Sequence, residues 1–310
     1  MTTGTVTETS KSTTCSLSTS KAPKRRDVQT TLNYYRDPGD GSPPTPVIVG
    51  GNTVTNERPT APTPVIIHDI TGSESTFTLD THGFQLVQHQ TSGTSTNFSS
   101  PDWLTKEYYP ESEALYKKIT NATHAHIFAH TIRRGPTHWH TLGPGNATQK
   151  GPLHRVHIDQ SYSGADLVLR KHLPASTYTA LLASRSRWQI VNLWRPLRTI
   201  FKDPLAVGAA GTFGEEQLVQ AEVRYVKQES PLNRSLTWAV RPPAQEGRNE
   251  WFYKNEQGVG EVWFIKCFDS WEGEGVARRA PHCAFVDGER EGGGWEDRES
   301  VEVRAVLIYD

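Results

Sequence analysis

Cysteine is scarce: Cys15, Cys267 and Cys283 are the three in 310 residues. So few, with one in a Ser/Thr-rich N-terminal stretch, argue against a disulfide framework and for a reducing compartment, with the cytoplasm as the expected location. No paired Cys-x-x-Cys and no His-Glu-x-x-His occurs, which weakens zinc-hydrolase readings. No apolar run approaches the roughly 20 residues of a membrane helix, and the N-terminus lacks the apolar core of a signal peptide. Without an entry signal, the sequons at Asn97 and Asn121 carry little weight. An excess of one charge is also missing: 33 Lys and Arg stand against 34 Asp and Glu, a net charge of −1. That balance offers no global field for nucleic acid or an anionic membrane. The expected partner is a small molecule, and a homodimer stays open.

What is present reads as a mainly β chain with a few flanking helices. Residues 1–28 are rich in Ser and Thr, end near Lys24-Arg25-Arg26, and have no apolar period that could bury a face, so a disordered tail is expected. The Pro- and Gly-rich stretch that follows predicts an extended arm over 29–64, leading into one domain over 29–310. Short alternating or β-branched runs predict strands at 65–70, 84–88, 124–130, 188–194, 261–268 and 300–309. The spacing of Tyr108, Leu115 and Ile119 predicts an amphipathic helix over 102–119, and 164–186 also reads as helical. Residues 141–154 read as a mobile loop, with a lid as one use. No internal repeat is found, and the order of elements favours an antiparallel double-sheet barrel.

The chemistry concentrates in His157-Ile158-Asp159. Alternation along a strand turns His157 and Asp159 to one face, where both can reach one metal ion. His282, behind Pro281 and ahead of an apolar run, is the candidate third ligand. Two imidazoles and a carboxylate on one face of an octahedron, with the opposite positions open, is the arrangement of non-haem Fe(II) oxygenases. A buried core histidine and a turn carboxylate are the plainer alternative. His124, His126 and His130 alternate nearby, beside His138 and His140, so a His-rich pocket wall or a zinc site competes. On the last strand Arg298, Ser300, Glu302 and Arg304 share one face by period two. A guanidinium there can grip a carboxylate bidentately with a hydroxyl assisting, which suits 2-oxoglutarate; a solvated Arg–Glu face is the rival. Asn192, Trp194 and Arg195 are expected to line the same cavity, although core packing is the commoner fate of a tryptophan.

Several longer stretches carry a resemblance. They include His126-Ile-Phe-Ala-His-Thr-Ile-Arg-Arg134, Val156-His-Ile-Asp-Gln-Ser-Tyr-Ser-Gly-Ala165, Asn192-Leu-Trp-Arg-Pro196, Arg278-Arg-Ala-Pro-His282 and Arg298-Glu-Ser-Val-Glu-Val-Arg304. With shorter matches from Thr31 onward, the chain resembles the AsaB-type hydroxylase/desaturase family of fungal secondary metabolism. That family is itself similar to the cephamycin methoxylation protein CmcJ and the fungal gibberellin desaturase. The resemblance implies a double-stranded β-helix (jelly-roll) oxygenase with His157, Asp159 and His282 at the iron positions. It implies Fe(II), with 2-oxoglutarate and dioxygen as cosubstrates, and oxidation of an unactivated C–H bond of a small secondary metabolite, giving hydroxylation or desaturation. Arg298 with Ser300, and Arg304, are rival anchors for the cosubstrate; His126, His130, Asn192, Trp194 and Arg195 are the expected substrate wall. Ala129 departs from the pattern, where an acidic residue is expected in many relatives, and bears on substrate choice. Two other classes stay open: a redox-neutral metal-dependent isomerase or cyclase on the same fold, and a non-catalytic partner subunit of a tailoring enzyme.

Overall fold

The computed structural model describes residues 24–226 and 233–310 together with Met1, so the stretch 2–23, with Cys15, lies outside the described residues. Its strands are β1 (Val28–Tyr35), β2 (Val47–Gly50), β3 (Thr53–Thr55), β4 (Thr60–Asp69), β5 (Phe84–Gln88), β6 (His124–Arg133), β7 (His157–Ile158), β8 (Trp188–Pro196), β9 (Leu205–Gly208), β10 (Leu218–Tyr225), β11 (Arg234–Val240), β12 (Trp251–Tyr253), β13 (Glu261–Asp269), β14 (His282–Ala284) and β15 (Ser300–Ile308). The longer helices are α1 (Tyr109–Thr120), α2 (Tyr162–His172) and α3 (Ala175–Ser184). No described helix is long and apolar enough to cross a membrane.

Two sheets make the jelly-roll core. One has the order β5-β13-β8-β15-β6; the other runs β1-β4-β12-β9-β14-β7-β11-β10-β2-β3. Period two sorts the smaller sheet into two faces. Val301, Val303, Ala305 and Leu307 of β15 pack with Val191 and Leu193 of β8 against Leu115 and Tyr116 of α1. Ser300, Glu302 and Arg304 take the opposite face, with Asn192 and Trp194 of β8 beside them in register. Every residue of β8 is buried. Tyr116 secures the helix layer: its hydroxyl donates to Val191 O at 2.9 Å and Val303 O at 2.7 Å.

The arm expected over 29–64 is instead largely strand. β1 pairs along its whole length with β4, and β2 and β3 extend the sheet beyond β10. Two of its prolines, Pro62 and Pro64, sit at strand positions in β4, an edge-tolerant use that composition alone reads as loop. The basic cluster at the end of the expected tail is also fastened: Arg26 forms an ion pair with Asp287, and its backbone N–H donates to Asp69 Oδ2 at 2.8 Å. Asp287 is buried, so the positive end of the cluster has a structural partner rather than solvent alone.

A second fastening joins β8, β13 and the segment before β5. Asp269, fully buried, accepts from Lys266 Nζ at 2.7 Å, Arg187 Nη2 at 2.6 Å and Gln189 Nε2 at 2.7 Å. Burial alone would raise the pKa of Asp269, but the Arg187 hydrogen bonds and the Lys266 charge outweigh it and leave the group below the usual carboxylate range. The same opposition lowers Asp80, which also bonds Arg187 and Lys266. Because the unfolded chain binds these protons more readily, their stabilisation is complete above about pH 4 and is lost as the pH falls through the lowered native values. Asp269→Asn should destabilise by about 3 kcal/mol, since Lys266 loses a buried partner, and should flatten the acid limb of stability against pH. Leu193→Ala should cost about 2–5 kcal/mol by leaving a cavity under α1. Urea unfolding between pH 3 and 7 reads both.

Candidate metal centre and its cavity

His157 and His282, 125 positions apart in the sequence, are direct cross-strand partners in the β7–β14 ladder. Opposed residues of an antiparallel pair put their side chains on the same face, a few ångströms apart; the two rings have centroids 4.5 Å apart. Asp159 follows the end of β7 on the His157 face, with Oδ1 3.5 Å from His157 Nε2. One donor atom from each of the three lies within 4.8 Å of the others.

The surroundings fix each donor. His157 Nδ1 lies 2.8 Å from Arg155 O and His282 Nδ1 lies 3.2 Å from Ala280 O. A carbonyl only accepts, so both Nδ1 atoms carry the proton and both Nε2 atoms keep a lone pair for a metal. Burial, reinforced by the neighbouring His157, pushes His282 down to about 4, so its imidazole is neutral at physiological pH. Burial works against ionisation of Asp159, yet Arg304, His157 and His282 together hold it well below the usual carboxylate range. Its Oδ2 accepts from Asn192 Nδ2 at 2.7 Å and pairs with Arg304 Nη2 at 3.2 Å, which leaves Oδ1 toward the imidazoles. Two imidazoles and one oriented carboxylate fit a divalent first-row metal. Two buried oxygens beside them, Asn192 Oδ1 and Gln160 Oε1, have no hydrogen-bond partner among the described residues. Such atoms are found where a ligand or water completes the site.

β7 is short because the chain turns at once into α2. Ser161 caps that helix by accepting from Gly164 N at 3.0 Å. Gly164 packs so close to β11 that a Cβ there would lie 2.0 Å from Leu236 O. The run Gln160–Ala165, which reads in sequence as a strand exit, is therefore a helix start that pins Asp159.

His157 and Asp159 open onto a cavity of about 460 Å³. Its wall includes Ala129, Thr131 and Arg133 of β6, Arg304, and Leu236 and Thr237 of β11. The expected histidine wall does not form, because pairing of β6 with β15 slips by one residue at Phe128: Arg304 faces Ala129 while Ala305 faces Ile127. One extra residue turns everything beyond it to the other face. His130 consequently leaves the face of His126 and bonds the Tyr109 hydroxyl through Nδ1 at 2.6 Å. His126 is exposed and is not in the wall. Asn192 supports Asp159 from beneath. Trp194 is core, packed with Trp263 and Ile265 and covered by the Arg298 guanidinium at 5.3 Å. Arg195 lies on the opposite face and bonds the Tyr108 hydroxyl at 3.0 Å and His89 O at 2.7 Å. Arg298 donates to Asp203 O at 2.8 Å. Loop 141–154, expected to be mobile, is clamped by buried Asn146, which accepts from Val54 N at 2.7 Å and donates to Val54 O at 2.9 Å. The sequence reading missed Arg58, Lys150 and Arg155 of the wall; the period-two run Arg155, His157, Asp159 was the available signal for one of them.

A family model described as an oxidoreductase/YMDC permease-like domain matches residues 32–308. The hydroxylase/desaturase CTB9 of Cercospora beticola is 33% identical over 94% of this chain and 90% of its own length. The chain belongs to the hydroxylase/desaturase family. The hydroxylase/desaturase efuI of Hormonema carpetanum is 32% identical over 91% of this chain and 95% of its own. The alpha-ketoglutarate-dependent dioxygenase phiK of Fungal sp. (strain ATCC 74256) is 34% identical over 75% and 80%. Among solved structures, the iron and alpha-ketoglutarate-dependent endoperoxidase NvfI superposes with a TM-score of 0.75 at 23% identity, covering 92% of this chain and 99% of that one, which shows the shared fold. This hydroxylase/desaturase family member is an oxidoreductase of the Fe(II)- and 2-oxoglutarate-dependent dioxygenase class.

The tight α2 contact gives a structural test. Gly164→Ala should destabilise the protein by about 1–3 kcal/mol through overpacking, measured by urea unfolding; an unchanged midpoint would show that α2 does not need this approach to β11.

Proposed function

We propose that this family member oxidises an unactivated C–H bond of a small metabolite by hydroxylation or desaturation, with His157, Asp159 and His282 as the iron ligands. The observation that carries this reading is the pairing of His157 with His282 beside an oriented Asp159, at the floor of a cavity. Bound Fe(II), with 2-oxoglutarate and dioxygen, supplies the oxidising power. The protein's part is to hold the ligands, exclude bulk water from a mostly buried site, and fix the target carbon relative to the metal. Two free buried thiols, Cys267 and Cys283, support a reducing, cytosolic setting.

Arg298 is the better candidate for the distal carboxylate of 2-oxoglutarate. Arg304 already serves Asp159 at 3.2 Å and Glu302 at 2.6 Å, so it acts as a positioning residue for the metal ligand. Arg298 is 3% exposed, has no carboxylate partner among the described residues, and leaves its Nε unpartnered. Register supports the reach. Asn192, which bonds Asp159, faces Arg304; Trp194, under Arg298, faces Glu302 one two-residue step along the strand. That step is about 6.7 Å, close to the length of a five-carbon diacid. Ser300, buried and two residues from Arg298, supplies a hydroxyl on the same face.

His157→Ala, Asp159→Ala and His282→Ala should each reduce Mn(II) binding at least about 100-fold, read by electron paramagnetic resonance, and abolish substrate-coupled succinate formation. Arg298→Gln should weaken 2-oxoglutarate about tenfold or more with metal affinity retained. Unchanged 2-oxoglutarate affinity would return that role to Arg304.

A further inference from the structure

The cavity is more cationic than iron and cosubstrate require. Arg58, Arg133, Lys150, Arg155 and Arg304 line it, and Asp159 is the one carboxylate in the wall among the described residues. Arg304 is committed to Asp159 and Glu302. Arg58 and Arg155 form a separate pair next to the apolar side chains Val47, Val49 and Val54.

Neither arginine of this pair has a carboxylate within ion-pair distance among the described residues. Arg58 is 8% exposed, and its bonds run to backbone carbonyls only, Thr45 O at 2.7 Å and Glu222 O at 2.5 Å. The Glu222 carboxylate is turned to Arg224 and Arg234 instead. Arg155 donates through Nη2 to Arg58 O at 2.9 Å, while its Nη1 is inaccessible to solvent and has no partner among the described residues. Burial lowers the Arg58 guanidinium to about 10, which expresses the cost of holding charge there. A buried and a half-buried cation side by side without a counter-charge are unfavourable unless an anion arrives to complete them.

We propose that the substrate is an organic anion, a carboxylate or enolate carried on an apolar skeleton, whose charged group is bound by Arg58 and Arg155 while the skeleton lies against the valine wall. This rests on the assignment of the triad to iron and of Arg298 to the cosubstrate. Arg155 precedes His157 by two residues on the same face, so the charged end of the substrate is held close to the metal. Arginine suits this role because its fork can grip a carboxylate bidentately.

The test is calorimetric titration of octanoate and of octanamide into protein loaded with Mn(II) and saturating 2-oxoglutarate. Octanoate should bind at least about tenfold tighter than the isosteric amide. Arg58→Gln should remove that preference, Arg58→Lys should retain part of it, and Arg155→Gln should behave as Arg58→Gln; 2-oxoglutarate affinity should be unchanged in all three. A purely structural role for the pair would lower stability without altering the acid-to-amide ratio. Equal binding of the two probes by wild type would overturn the proposal without need of any variant. So would loss of octanoate binding as 2-oxoglutarate is raised, because the acid would then occupy the cosubstrate site. If Arg298→Gln leaves 2-oxoglutarate affinity intact while octanoate preference follows Arg58, the cosubstrate assignment alone falls.

Discussion

The site depends on one register. β7 and β14 pair so that His157 opposes His282, and that single alignment turns two distant sequence positions into adjacent candidate metal ligands. A one-residue slip would send one imidazole to the other face of the sheet. The register is held on both sides, since β14 also pairs β9 over Cys283 and Ala284, and β7 pairs β11 through Ala239 and Trp238. Neighbouring β-structure, rather than the two residues of β7 themselves, therefore carries the accuracy of the centre. The third ligand needs a different device, because it lies past the strand end; the Ser161 cap and the close approach of Gly164 to β11 supply it.

Charge is arranged around that register with a division of labour. Inside a barrel of low dielectric, Asp159 remains ionised because Arg304, His157 and His282 outweigh the effect of burial, while Arg304 and Asn192 take its second oxygen. Arg304 is thus engaged by Asp159 and Glu302, a proximity that the sequence, which offers Arg298 and Arg304 as rival cosubstrate anchors, does not display. Arg298, two period-two steps before Glu302 and three before Arg304, keeps an unfilled donor instead. The same logic, a buried guanidinium without a carboxylate, separates cations that hold the protein from cations that await a ligand. Lys266 and Arg187 around Asp269 belong to the first kind, since every charge there already has its partner.

Much of this was legible beforehand because it is periodic. The alternation in 188–194, 261–268 and 300–309 has a direct physical reading, and β8, β13 and β15 lie at those positions. The helix before β6 and the His157, Asp159 pattern were readable for the same reason. What could not be read were pairings that have no local signature. β9, β12 and β14 are three or four residues long and exist because neighbouring strands complete their hydrogen bonds. Composition misjudged the first half of β4, where Pro62 and Pro64 suggested part of an extended arm although β4 pairs with β1 through both residues. The histidine wall failed at Phe128, since a slip in register is decided by the partner strand and leaves the alternation of the sequence itself unbroken.

That slip has a consequence for how such a site can change. Along β15 the inward set Ser300, Glu302 and Arg304 faces Arg133, Thr131 and Ala129 of β6, all beyond the slipped residue. The face presented to the cavity by β6 is therefore set by where one extra residue is inserted, while the ligands on β7 and β14 belong to the other sheet and do not shift with it. The candidate metal ligands and the β6 part of the cavity wall are in this way carried by separate ladders. A substitution at Ala129 or Thr131 alters what the cavity accepts without touching the His157–His282 pairing, and loss of the extra residue, by re-registering the whole strand beyond it, would exchange Ala129 and Thr131 for His130 and Ile132 in the wall. Because the first change costs little packing and the second would bury an imidazole and expose a core side chain, variation in what this barrel binds is more easily reached residue by residue within the present register than by moving it.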